Sequence, residues 1–196
     1  MKRIVYLLIL SGILLTACKE KKKPQDPEKK PSFPVMSYIK SQIKAIDTSL
    51  FSIRKITIYD STHSDTTFVK REQFRDEAKE FLELPDLADK KYSERYTETR
   101  FYDEEMNRVI FSVKPIKPEE EEIVSQEVLI TPNIATGDKV KNIIINKVIN
   151  NKDGYLEKQF LWQVDQSFQI TTITQAPGQP EKTITVKLLW NEPGYQ

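Results

Sequence analysis

Cys18 is the one cysteine of this 196-residue chain, and it follows an apolar segment near the N-terminus. Lys2 and Arg3 give a short positive start, and residues 4–15 form the apolar run. A membrane-spanning helix needs roughly 20 apolar residues, so this run is too short to span and fits the core of a signal peptide. We therefore expect residues 1–17 to be a cleaved signal peptide.

The residues at the expected cleavage site are Leu15, Thr16, Ala17 and Cys18, and they look like a lipobox. In lipoproteins with this motif a peptidase cuts before the cysteine, whose thiol carries a diacylglycerol, and the new amine is often acylated; palmitate is an expected acyl chain. Two or three chains anchor firmly, because each buried CH₂ contributes about 0.8 kcal/mol. The alternative is an ordinary secretory signal with a cysteine there by chance.

His63 is the only histidine, and serines and aspartates surround it in the segment DSTHSD over residues 60–65. A Ser-His-Asp mechanism needs three groups that the fold brings together, and neighbours on one loop rarely adopt that geometry. There is no Gly-x-Ser-x-Gly elbow. Such polar runs are typical of turns, so the sequence predicts no catalytic residue, and we expect a protein that is not an enzyme.

The sequence offers few metal ligands and predicts neither a metal site nor a cofactor. Zinc needs three or four Cys, His or carboxylate ligands, which one histidine and one acylated cysteine do not supply. The acidic and amide residues near 60–65 and 150–153 do not match a calcium loop. The four glutamates at 119–122 indicate a solvated loop, or alternatively a docking surface for a basic partner.

Composition separates a tether from a domain. Residues 19–31 carry six lysines, three acidic residues, three prolines and no apolar residue, which is typical of a disordered spacer. Its lysines could also hold anionic lipid head groups. The whole chain has 30 basic and 29 acidic residues. Lys2 and Arg3 contribute +2 and the spacer +3, so the part after the spacer is net acidic and unsuited to nucleic acid. We expect residues 18–31 to be the lipidated tether and 32–196 a single α+β domain.

Apolar spacing predicts the elements of that domain. Steps of three and four residues predict helices over 35–49, with Leu50 closing the apolar stripe, and over 70–84. Between them, a strand is predicted over 52–60 and a polar turn over 61–67. Period-two alternation then predicts seven strands over 94–102, 107–114, 124–131, 139–149, 155–164, 168–175 and 182–190.

These elements predict a large curved antiparallel sheet, a meander, with the two N-terminal helices packed on its apolar face. Large apolar residues fall on the inward phase of the last strands. They are core, or alternatively the wall of an apolar pocket, formed by Phe160, Trp162, Val186 and Trp190.

Several stretches look familiar together: residues 74–86 on the second helix, FYD at 101–103 followed by NRVIF at 107–111, QEVLI at 126–130, and LWQVD at 161–165. The chain resembles uncharacterised lipoproteins of Bacteroidota, and the likeness covers most of the part after the signal. It implies a Gram-negative envelope and carries no functional residues across. Lys19 after the lipidated cysteine favours the outer membrane, with the periplasmic face preferred to the cell surface.

The sequence therefore indicates a membrane-anchored envelope protein that binds or helps to assemble a partner protein, or binds an apolar ligand. The alternative is a hydrolase of envelope material that uses carboxylates assembled by the fold.

Overall fold

The computed structural model describes residues 32–191, all within one compact unit, Ser32–Gln196. A nine-stranded antiparallel sheet dominates it, in the order β2-β1-β9-β8-β7-β6-β5-β4-β3. The strands are β1 Ile53–Ile58, β2 Ser64–Val69, β3 Tyr96–Asp103, β4 Arg108–Pro115, β5 Ile123–Thr131, β6 Lys139–Asn151, β7 Gly154–Gln163, β8 Ser167–Gln175 and β9 Lys182–Leu189. The predicted antiparallel sheet with a few helices is confirmed.

Strands β3 to β9 follow one another along the sheet, each paired with the next, so they form the predicted meander. The hairpin of β1 and β2 then pairs with the far side of β9. Two edges remain among the described strands: the six-residue β2 and the eight-residue β3.

The first helix, α1 Val35–Asp47, forms because its apolar residues recur on one face. Val35, Ile39, Ile43 and Ile46 are buried on that face. The helix ends two residues before the predicted end, where the Ser49 hydroxyl donates to the carbonyl of Ile46 (2.9 Å). Leu50 was wrongly placed in the stripe: it lies beyond the helix and is 95% exposed.

The predicted second helix is wrong in its continuity. A 3₁₀ turn over Arg71–Gln73 leads into two short helices, α2 Phe74–Glu77 and α3 Lys79–Leu82. They are separated at Ala78, whose backbone (φ −87°, ψ 5°) leaves the helical region. Phe74, Ala78 and Phe81 are nonetheless fully buried, as the stripe predicted. Burial of these side chains, rather than helical propensity, therefore sets the path of this segment.

The predicted turn over 61–67 is also wrong in extent, because β2 begins at Ser64 and pairs along β1 as far as Val69. The turn itself is short and is closed by the Tyr59 N–H, which donates to the His63 carbonyl (3.0 Å). Every residue from Ser64 to Phe68 is exposed. An edge strand with no buried side has no hydrophobic alternation, which is why its sequence looks like a loop.

The register of the sheet brings large apolar side chains into one row. Trp162 lies opposite Ile143 on β6 and opposite Phe168 on β8, and Phe168 lies opposite Leu188 on β9. All four are fully buried and belong to one core cluster that also contains residues of α1, α2 and α3. The alternation read from the sequence for β7 to β9 is therefore present in the structure.

Candidate functional site

The lipobox residues and the lysine-rich spacer lie outside the described residues, so lipidation of Cys18 remains a prediction from sequence. In the part of the chain that the structure describes, no helix is long and apolar enough to cross a membrane.

The predicted pocket-wall residues lie together in the core. Phe160, Trp162 and Trp190 are 2%, 0% and 5% exposed, and the half-buried Val186 packs against the same cluster. The Trp162 ring stacks on Phe168 (5.5 Å between centroids) and lies 5.5 Å from that of Trp190. These separations are those of rings in direct contact.

Two further rings come from the short helices. Phe81 makes edge contacts with Phe160, Trp162 and Phe168 at 5.1, 5.2 and 5.3 Å. Phe74 meets Trp190 edge-on at 5.3 Å. We call this set the aromatic cluster: Phe74, Phe81, Phe160, Trp162, Phe168 and Trp190. Phe74 and Phe81 are seven residues apart, and this spacing is the sequence signal that both rings lie on the same side of the segment.

The indole Nε1 of Trp162 is buried and has no hydrogen-bond partner. A buried donor without an acceptor costs about 1–3 kcal/mol. This N–H is therefore an unsatisfied donor inside the aromatic cluster.

The His63 segment forms a turn. Asp60 accepts hydrogen bonds from the Thr62 hydroxyl (2.7 Å) and from the backbone N–H groups of Thr62 (2.7 Å) and His63 (2.9 Å). These bonds, that of the Thr62 hydroxyl foremost, lower the pKa of Asp60 to about 2. The His63 ring contacts Asp60 (2.9 Å) and is 74% exposed. These contacts hold the β1–β2 connection in shape.

The acidic run at 119–122 is tied to cations of its own chain. Glu120 pairs with Lys117 (2.6 Å) and Glu122 with Lys147 (2.8 Å). Glu121, whose side chain is 7% exposed, accepts two bonds from Arg95, at 2.5 and 2.6 Å. Glu121 is buried in its pair, whereas Glu120 and Glu122 are 57% and 61% exposed.

Tyr96 completes the Glu121 contact by donating its hydroxyl proton to the carboxylate (3.0 Å). Burial is the main cause that raises the pKa of Tyr96 above its ordinary value, and the hydrogen bond to Glu121 raises it further. The arrangement fastens the start of β3 to the segment before β5, which is a structural role.

No group of three or more His, Cys, Asp or Glu side chains able to hold a metal occurs between residues 32 and 191. In the turn before Gly154, the side-chain oxygen Oδ1 of Asn151 accepts a hydrogen bond from the backbone N–H of Asp153 (2.8 Å).

The outer edge of β3 carries side chains to which the sequence assigned no functional role. Phe101 and Tyr102 are 50% and 52% exposed. Arg100 donates through Nε to Glu98 Oε1 (2.6 Å) and lies over the Phe111 ring (4.6 Å). The other oxygen of Glu98, Oε2, is buried without a hydrogen-bond partner. Sequence alternation identified this strand but could not show that it lies at an edge.

A search against protein-family models gave no match, and comparisons with curated proteins and with solved structures gave no significant match.

Proposed function

We propose that this chain is a lipid-anchored envelope protein that acts by binding another protein along the open edge of β3. The observation that carries the proposal is that edge itself, where Phe101 and Tyr102 are half exposed beside the Glu98–Arg100 pair. An unpaired strand edge offers a row of backbone donors and acceptors, and exposed aromatic side chains add binding energy at protein interfaces.

The contacts between the helices and the sheet favour a protein partner over an apolar ligand. In this proposal they form a layer packed on the apolar face of the curved sheet. Ring contacts from Phe74 and Phe81 support such a layer, as do ion pairs of Glu77 with Lys55 (2.8 Å) and of Glu80 with Lys158. The chain's own side chains would then fill the apolar face. An apolar ligand remains a second candidate because of the unpartnered indole N–H of Trp162.

The anchor in this proposal is lipid on Cys18, with the spacer after it holding the domain away from the bilayer. The lipobox and the resemblance to Bacteroidota lipoproteins support an outer-membrane location on the periplasmic face.

The hydrolase alternative has less support. A general acid needs a raised pKa. The pKa of Asp60 is lowered to about 2, and hydrogen bonds from Gln159 and Tyr155 lower the pKa of Glu157. Neither carboxyl group is suited to donate a proton near neutral pH.

The test is site-specific photocrosslinking in living cells. A benzophenone amino acid replaces Phe101 on β3. As a matched control it replaces Phe68 on β2, the opposite edge strand. Both phenylalanines are exposed, Phe101 by 50% and Phe68 by 75%. We expect an irradiation-dependent protein adduct from position 101 and none from position 68. No adduct at 101, or equal adducts at both positions, would overturn binding along β3.

A further inference from the structure

We propose that the partner of β3 is the same strand of a second copy of this chain, in antiparallel pairing centred on Thr99. The inference rests on the proposed function, since it names the occupant of that edge. The resulting dimer would continue the sheet through both copies.

The backbone groups of β3 point alternately toward β4 and toward the open edge. The carbonyl of Arg95 accepts the N–H of Ile116, on the side of β4, at 2.8 Å. Hydrogen-bonded and non-hydrogen-bonded positions alternate along an antiparallel strand. The groups of Thr97, Thr99 and Phe101 therefore also face β4. Those of the even-numbered residues face the open edge: Tyr96, Glu98, Arg100 and Tyr102.

These directions restrict the register in which two β3 strands can pair. A partner strand must match its outward groups to these even-numbered residues, so in self-pairing even residues lie opposite even residues. The register centred on Thr99 places Glu98 opposite Arg100 of the second copy, and Arg100 opposite Glu98. The adjacent allowed registers, centred on Glu98 or on Arg100, place like charges directly opposite each other, which is destabilising.

The remaining residues agree with the same register. It places Tyr102 opposite Tyr96, whose ring is buried, and Asp103 opposite Arg95, whose guanidinium already bonds Glu121, so neither position opposes this register. It also places Thr97 beside the half-exposed Phe101. Edge strand β2 lacks such a pattern, because Asp65 is its only charged residue.

The unpartnered oxygen of Glu98 provides independent support. Its Oε2 is buried with no donor, while Arg100 of the same chain bonds only the other oxygen, through Nε. A guanidinium has five N–H groups. Arg100 of the second copy lies directly opposite in this register, and a rotation of the Glu98 carboxylate toward the edge would bring Oε2 to that guanidinium; the pairing is repeated by symmetry.

The first experiment uses Thr99→Cys in the full chain, expressed in cells with two different affinity tags. Thr99 would face its own copy at a non-hydrogen-bonded position, where Cα atoms lie about 4.5 Å apart and a disulfide can form. We expect a disulfide-linked dimer containing both tags after mild oxidation. Thr66→Cys, exposed on β2, is the matched control, and the unaltered chain reports any background from Cys18.

The second experiment tests the charges on the Thr99→Cys background. Glu98→Arg places arginine opposite arginine, and Arg100→Glu places glutamate opposite glutamate, so each variant alone should give about tenfold less dimer. Co-expressed, the two variants restore both opposite-charge pairs and should form the mixed dimer at the original level. That recovery also shows that both variants fold.

Absence of the Thr99→Cys dimer, or single charge variants that dimerise like the parent, would overturn pairing between copies. If position 101 still crosslinks to a different protein, the proposed function stands and only the identity of the partner is wrong. If neither position 99 nor position 101 links to any protein, both proposals fail.

Discussion

Replacing Phe81 by alanine tests whether the short helices hold the aromatic cluster together. The Phe81 ring is fully buried and touches the rings of Phe160, Trp162 and Phe168 at 5.1 to 5.3 Å. Truncating a buried phenylalanine costs about 3–5 kcal/mol, from lost transfer energy and the cavity left behind. Because small domains are stable by about 5–15 kcal/mol, Phe81→Ala should remove a large part of the free energy of unfolding.

Equilibrium urea unfolding measures this change, with the fluorescence of Trp162 and Trp190 as the signal from within the cluster. Phe68→Ala is the control, because it removes the same side chain from a position that is 75% exposed. We expect it to cost less than about 1 kcal/mol, within the range of strand propensity. Equal losses for the two variants would refute the proposal that α3 packs on the sheet.

Three further predictions concern the turns and the anchor. Gly154→Ala should lower the free energy of unfolding by about 1–3 kcal/mol, measured by urea unfolding, because φ is +135° and a Cβ would lie 2.6 Å from the Gln175 carbonyl oxygen. Gly137→Ala is the control, and it should cost less because its Cβ would lie in open space at φ +81°. Equal losses for the two variants would contradict the clash at Gly154. Asp60, with its pKa lowered to about 2 from 3.8, should contribute stability above pH 4 that is lost as the pH falls through 2. A carboxyl NMR titration checks this, and a midpoint near 3.8 would show that the Asp60 hydrogen bonds do not persist. Cys18→Ser should abolish labelling by a fatty-acid probe and leave a larger unprocessed form on a gel; unchanged labelling would disprove the anchor.

Sequence periodicity predicted the inner strands of the meander well because they bury one side. The strand with Phe160 and Trp162 was placed within one residue at each end. Two failures have a common cause. The edge strand beginning at Ser64 buries almost nothing, and the helix breaks at Ala78 because packing overrides local preference. Periodicity reports burial, so it is silent where an element is exposed or where contacts from distant residues bend the chain.

The site features were less predictable. The inward phase placed Trp162 and Trp190 in the core, but the sequence could not show which rings they meet. The acidic run gave no sign that Glu121 binds Arg95, because that pair joins residues 26 apart through the fold. The complementarity of Glu98 with Arg100 becomes meaningful only once β3 is known to lie at an edge.

The pairing of β1 with β9 makes the order of synthesis matter. Arg54 lies opposite Leu189, so the first strand waits for a partner that is made last among the described strands. Pairing between such distant segments raises contact order and slows folding. The hairpin of β1 and β2 cannot join the sheet before β9 is present. If the proposed signal peptide directs export, the domain would therefore close only after nearly all of it had crossed the membrane.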